Sequence, residues 1–362
     1  MYYKNVSISN IIVLFFLFCC YNTGFAKKPI NVNGSLLGRP FQIKVYDELA
    51  KTMLTNPDDS SVVKLFSDYS SNELNTETLS EITQKYSVEV STFFFIEKIY
   101  EQEKNKFAQN YYMNTIDTLS NNNLIEHLSF LNDYFIVFVP GFRYKHAKNG
   151  GNFLNQRLLL DSAGMAYEMI NIDEAGLVED NAKIVAYRLQ ELSKIHSNII
   201  VISVSKGGLE AAIALDMLPE NQETVKAWIN VGGILKGTPI ADRWSPPLMR
   251  FWMKCGLFFI GKSKVKIKPL LNDMSYNRCK EAYKNLKIPE NITIINVVAI
   301  PLGEQKKQIQ NLPFPNDGFS FLADTIVKNG VVVLEVGVNH FFKDVNLNTR
   351  MVALLQYIVN LN

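Results

Sequence analysis

The chain has 362 residues, 47% of them hydrophobic and 20% charged, with 37 Lys and Arg against 35 Asp and Glu. That length suffices for one large α/β domain with an appendage or for two domains, and the composition is that of a globular protein with a sizeable core. The net charge of +2 argues against a nucleic-acid partner, whose phosphates would require a concentrated basic face.

Residues 1–26 read as an export signal. Lys4 supplies the positive end, Ile11 to Cys20 an apolar stretch, and Gly24-Phe-Ala26 a cleavage site ahead of Lys27-Lys28. The stretch is short for a permanent membrane helix. Bulky Phe16 and Phe18 stand where a lipidation signal at Cys19 would need small residues. The expectation is a secreted or periplasmic protein. Cleavage leaves Cys255 and Cys279, which either form a disulfide in an oxidising compartment or remain buried thiols. With no histidine beside them they make no zinc site.

Residues 27–130 read as a helical, polar-rich N-terminal region with no clear run of strands. Its aromatic residues from Phe93 to Tyr112 recur at helical spacing, as core residues do. This region could be a cap over a site, a partner-docking module or a propeptide-like extension.

From Tyr134 the texture changes. Tyr134 to Val139 is a continuous apolar strand run ending at Pro140-Gly141-Phe142. A helix over Phe153 to Met165, a strand over Tyr167 to Ile172 and a helix over Val178 to Ile195 follow. Next come a strand over Ile199 to Val204, a helix over Leu209 to Leu218 and a strand over Val225 to Val231. Two further strands, Ile292 to Ile300 and Val331 to Val338, precede a closing helix from Asn348 to Leu361. Apolar strands alternating with amphipathic helices predict an α/β domain over 131–362, with a mostly parallel sheet covered on both faces. The segment 238–288 interrupts the alternation. Its apolar residues, among them Trp244, Phe251, Trp252 and Phe258, form either sheet packing or a lid and acyl-binding wall. Within it, Lys262, Lys264, Lys266 and Lys268 are a solvated face or a transient contact with an anionic membrane surface.

The chemistry centres on Ser203-Val-Ser205-Lys-Gly207, where a strand gives way at once to a small-residue helix. A serine on such a turn projects past the sheet with helix N-terminal amides behind it. It needs a base, a group to orient that base, and donors for an oxyanion. Of the four histidines only His340 follows Ser205, and it lies just past a predicted strand, at the same sheet edge. His196 sits before the serine's strand, at the opposite edge. Asp317, in Asn316-Asp-Gly318, is the favoured carboxylate, with Asp324 in reserve; Glu335, inside a strand, and Asp273, in the insert, are weaker. The amides of Lys206 and Phe142 are the expected oxyanion donors.

Together these residues resemble the α/β-hydrolase superfamily, particularly its lipase-like and esterase-like branches, over Tyr134 to Asn362. The resemblance implies a doubly wound α/β-hydrolase fold and a Gly-x-Ser-x-Gly turn, from which Ser203 departs at the first position and Lys206 is an unusual neighbour. Gly237-Thr-Pro239 and Asn316-Asp-Gly318 are similar to the acyl-side loop and acid loop of those enzymes. The implied activity is hydrolysis of a carboxylic ester, with a hydrophobic acyl group suggested by the apolar insert, and no metal or organic cofactor. An acyltransferase, thioesterase or amidase would use the same three residues. A hydrolase-fold binding protein without activity is the third reading, and Ser203 is its main support.

Overall fold

The computed structural model describes residues 28–119, 124–146, 151–219, 223–247, 249, 267–303, 312–343 and 345–361. The expected export signal, most of the lysine cluster and the densest apolar part of the insert lie outside those residues, as does Cys255.

Six strands form one parallel sheet: β3 (Phe135–Val139), β4 (Tyr167–Met169), β5 (Ile199–Val204), β6 (Val225–Val231), β7 (Thr293–Ile300) and β8 (Val331–Val336). Their order across the sheet is β4-β3-β5-β6-β7-β8. The interior strands are buried along nearly their whole length, as expected of a parallel sheet with both faces covered. The predicted strands all form, though β4 is only three residues long. The chain first winds outward from β3 to β4, then returns to β5 and continues the other way. That reversal opens a crevice at the carboxyl ends of β3 and β5, where open α/β sheets hold ligands.

One face of the sheet packs under the C-terminal helix Leu347–Leu361 and the helix Leu154–Ser162. The other is covered by the helices Val178–Leu192 and Lys206–Asp216. Trp228 lies fully buried in β6 on that second side.

The N-terminal region differs from the sequence expectation. It does contain strands: β1 (Ile30–Leu36) and β2 (Arg39–Val45) pair as an antiparallel hairpin. The two turn residues, Leu37 and Gly38, both have positive φ, 52° and 71°, which is the backbone of the turn that suits hairpin twist. Five helices follow, which we label α1 (Glu48–Thr55), α2 (Ser60–Asp68), α3 (Thr76–Lys85), α4 (Val88–Tyr100) and α5 (Glu103–Thr118). Phe93, Phe94, Phe95 and Ile96 of α4 are buried in a core that includes Val298, Ile300, Val332 and Leu334 of β7 and β8.

The edge of β8 is closed by side chains rather than by another strand. Asn105 Oδ1 of α5 accepts from the Val332 amide at 2.9 Å, and Gln109 Oε1 accepts from the Leu334 amide at 2.7 Å. Gln109 Nε2 in turn donates to the Leu334 carbonyl at 3.2 Å. These amides mimic a neighbouring strand and leave the edge unavailable for pairing with another chain.

In the insert, helices Pro239–Trp244, Ile267–Asp273 and Tyr276–Ala282 are described. Cys279 is a buried thiol that donates to the Asp273 carbonyl at 3.0 Å, and burial pushes its pKa up to about 12. No helix among the described residues is long and apolar enough to cross a membrane.

Candidate functional site

Ser205 stands between β5 and the helix Lys206–Asp216, with φ 56° and ψ −123°. For a residue with a side chain this is a strained backbone, and close packing on both sides holds it. The Ser205 amide donates to the Val231 carbonyl at 3.1 Å, and its carbonyl accepts from the amides of Gly208 and Ile234. A Cβ at Gly207 would lie 2.4 Å from the Pro140 carbonyl oxygen, so only glycine lets the helix start this close to β3.

Both departures from the usual serine turn have physical accounts. Ser203 is fully buried, and its hydroxyl accepts from the indole N–H of Trp228 at 2.8 Å. A buried indole needs that acceptor, and a glycine could not provide it. Lys206 turns its side chain into the interior, away from solvent, and forms an ion pair with Glu210 one helical turn on. Glu210 also accepts from Asn181 Nδ2 at 2.7 Å. Burial pushes the Glu210 carboxyl up to about 7, opposed by Lys206.

Asp317 and His340 arrive on the loops that follow β7 and β8. Asp317 Oδ1 accepts from the amides of Phe319 and Ser320, both at 2.8 Å, an Asx turn made by its own loop. Its Oδ2 lies 2.6 Å from His340 Nδ1, and His340 Nε2 lies 2.9 Å from Ser205 Oγ. With the carboxylate drawing the proton to Nδ1, Nε2 is left to accept from the serine hydroxyl. Asp317 and His340 are nine-tenths or more buried, and the Phe319 ring lies against the imidazole at 4.7 Å between centroids. The structure therefore brings Ser205, His340 and Asp317 into one hydrogen-bonded chain.

The other candidates lie elsewhere. Asp324 is buried against Lys236 at 2.7 Å and accepts from Thr76 Oγ1 at 2.8 Å, tying α3 to the sheet domain. Asp273 accepts from the Val178 amide at 2.7 Å and anchors the start of a helix. His196 stacks on Phe135 at the far edge of the sheet. The Lys206 amide opens its helix, and Phe142 follows β3; among the described residues neither amide donates to a backbone carbonyl.

Beside Ser205 is a cavity of about 580 Å³. Its wall is largely apolar, with Phe153, Ile202, Ile229, Val297, Met351 and Leu354 contributing. The polar groups of this cavity were missed in the sequence. Glu335, weighed only as a partner for the histidine, faces this cavity, and so do Arg350 of the C-terminal helix and Tyr112 of α5. No periodicity marks them: Glu335 and Arg350 are the single charges in their strand and helix, and Tyr112 shares its buried face with Asn105 and Gln109.

A serine on a strained strand-to-helix turn, an acid after β7 and a histidine after β8, all at the carboxyl edge of a parallel sheet, is the α/β-hydrolase arrangement. Among solved structures the chain is similar to a metagenomic carboxyl esterase, at TM-score 0.48 and 18% identity over 64% of this chain and 77% of that one. It is also similar to a Bacillus licheniformis lipase in mature form, at TM-score 0.44 and 17% identity over 58% and 86% of the two chains. A monoacylglycerol lipase of Paleococcus ferrophilus aligns at TM-score 0.34 and 13% identity, over 63% and 95%. No protein-family model matches the chain, and no curated protein sequence does.

Proposed function

We propose that this chain is an exported serine hydrolase that cleaves carboxylic esters with a hydrophobic acyl group. The observation that supports it most is the unbroken path from Ser205 Oγ through the His340 imidazole to Asp317, with separations of 2.9 and 2.6 Å. In this reading Ser205 attacks the ester carbonyl carbon while His340 Nε2 takes its proton. Asp317 holds the imidazole in the required tautomer and stabilises the imidazolium. The amides of Lys206 and Phe142 receive the developing oxyanion. The proton on His340 passes to the departing alkoxide, and the alcohol leaves. Water, deprotonated by the same imidazole, then attacks the acyl carbon, and the imidazolium returns that proton to Ser205 Oγ as the acid leaves.

The apolar cavity beside Ser205 supports an acyl chain over a small polar acid. Export rests on the charge, apolar stretch and cleavage site of residues 1–26. Transfer to an acceptor other than water would use the same groups, and competition between an added alcohol and water measures it.

The test is hydrolysis of nitrophenyl esters over a range of acyl lengths by wild type, Ser205→Ala and His340→Ala, with covalent labelling by a serine-directed phosphonate alongside. Activity lost in both variants, and labelling lost with Ser205→Ala, is the expected result. Activity that survives Ser205→Ala would remove this nucleophile. A folded wild type that is inert to esters and phosphonate alike would leave the binding-protein reading.

A further inference from the structure

The apolar cavity contains an ion pair. Arg350 Nε donates to Glu335 Oε1 at 2.7 Å, and the Tyr112 hydroxyl donates to that same oxygen. Glu335 is 5% exposed. Burial and the adjacent carboxylate push the Tyr112 phenol well above its ordinary range, so it stays a donor. Two donors thus converge on Oε1, while Oε2 has no partner among the described residues. Arg350 Nη1 makes one long contact to the Asn346 carbonyl, at 3.5 Å, and Nη2 makes none among the described residues.

This half-made pairing contrasts with another in the same protein. Arg188 closes its fork on Glu168 with two bonds of 2.7 Å, from Nε and Nη2 to the two carboxylate oxygens. The Arg350 fork engages through Nε alone, which leaves a strong donor and a strong acceptor side by side on an apolar wall. An alkyl chain reaching that point would strip water from both and return nothing. An anionic chain end would meet Glu335, and a cationic one would meet Arg350. A neutral group that both donates and accepts satisfies the two together, and a hydroxyl is the smallest of these.

We propose that this pocket selects chains that carry a hydroxyl group, held between Arg350 Nη2 and Glu335 Oε2. This rests on the ester-hydrolase reading of Ser205 and adds the substrate class, hydroxyacyl esters. The preferred position of the hydroxyl along the chain measures the distance from Ser205 to the ion pair.

The full chain is assayed with nitrophenyl esters of ω-hydroxy acids and of the matching plain acids over a ladder of lengths. At one or a few adjacent lengths the hydroxyacyl ester should have a kcat/KM higher by roughly ten- to hundredfold, as a hydrogen bond to a charged group supplies. Glu335→Leu combined with Arg350→Met and with Tyr112→Phe, whose hydroxyl would otherwise lose its acceptor, leaves an apolar wall of similar volume and should reverse the preference. Arg350→Lys alone keeps the charge but loses the planar fork, and should reduce the preference. In parallel, Ser205→Ala is titrated by calorimetry with the methyl esters of the two acids, which reads recognition without turnover. Tighter binding of the hydroxy ester supports the pocket assignment even if wild type hydrolyses no ester, a result that would sink the hydrolase reading alone. Hydrolysis with no hydroxyl preference at any length overturns this proposal and leaves the hydrolase intact. A preference that survives the combined Glu335→Leu, Arg350→Met and Tyr112→Phe variant overturns it as well.

Discussion

His340 is tied to Asp317 through the main chain as well as through the side chains. The His340 amide donates to the Asp317 carbonyl at 2.9 Å, beside the 2.6 Å contact of Nδ1 with Oδ2. The loops after β7 and β8 are thereby joined, and the imidazole cannot drift from its carboxylate without breaking a backbone bond. Asp317→Asn tests what the carboxylate does chemically. Asparagine keeps an oxygen for the Phe319 and Ser320 amides, but its NH₂ facing Nδ1 favours the tautomer that protonates Nε2. Steady-state kinetics should show kcat reduced by about three to four orders of magnitude, with a thermal midpoint close to wild type. Equal losses of stability and rate would mean that Asp317 serves the loop alone.

Ser203→Gly restores the glycine usual before such a serine, yet we expect it to destabilise the protein. The change orphans the buried indole N–H of Trp228, which costs about 1–3 kcal/mol, and adds a glycine to the end of a strand. Chemical denaturation should show that loss. Per-molecule activity of the folded fraction should stay within a few-fold, because the Ser203 side chain points into the sheet packing and not toward His340.

Much of the sheet edge that carries Ser205, Asp317 and His340 was legible because its signals are local or ordinal. Fully apolar runs marked the parallel strands, and His340 was singled out by being the one histidine after Ser205. The hairpin over Ile30–Val45 was missed because its inward positions include Gly34 and Arg39, and Leu37-Gly38 is a weak turn signal beside Asn-Gly. The pocket chemistry of Tyr112, Glu335 and Arg350 was hidden for another reason. These residues meet only when α5, β8 and the C-terminal helix pack together, over a separation of more than two hundred positions, and hydropathy registers their charge as exposure.

The same blindness concealed Gln109, a buried amide on a helix that otherwise reads as polar. Gln109→Leu keeps its bulk but removes both bonds to Leu334. One amide and one carbonyl of β8 then lose their partners in a buried setting, for a cost of about 2–4 kcal/mol. Hydrogen exchange at the Leu334 amide should accelerate along with that loss. Unchanged exchange there would mean that α5 covers the strand without bonding it. Since Tyr112 lies one turn beyond Gln109, the substitution should also raise KM more than it lowers kcat, if the pocket wall shifts with the helix.

The Lys206–Glu210 pair beneath the serine gives stability a pH dependence whose sign follows from Glu210. Burial carries this carboxyl from an ordinary value of 4.5 to about 7 in the folded protein. Between those values the folded state binds more protons than the unfolded one. Stability from this group is therefore greatest below the unfolded value and declines as pH rises through 7. The difference corresponds to about 3 kcal/mol, lost mainly between pH 4.5 and 7. Replacing only Glu210 would strand the buried lysine, so the informative variant is Lys206→Met with Glu210→Gln, which keeps an acceptor for Asn181. Denaturation from pH 4.5 to 8 should show wild type losing stability relative to the double variant across this window and running parallel to it above. Parallel curves throughout would mean that Glu210 is ionised in the folded state over the whole range, held there by Lys206. Hydrolysis should depend on pH separately, because the pair reaches Ser205 only through the backbone of the turn.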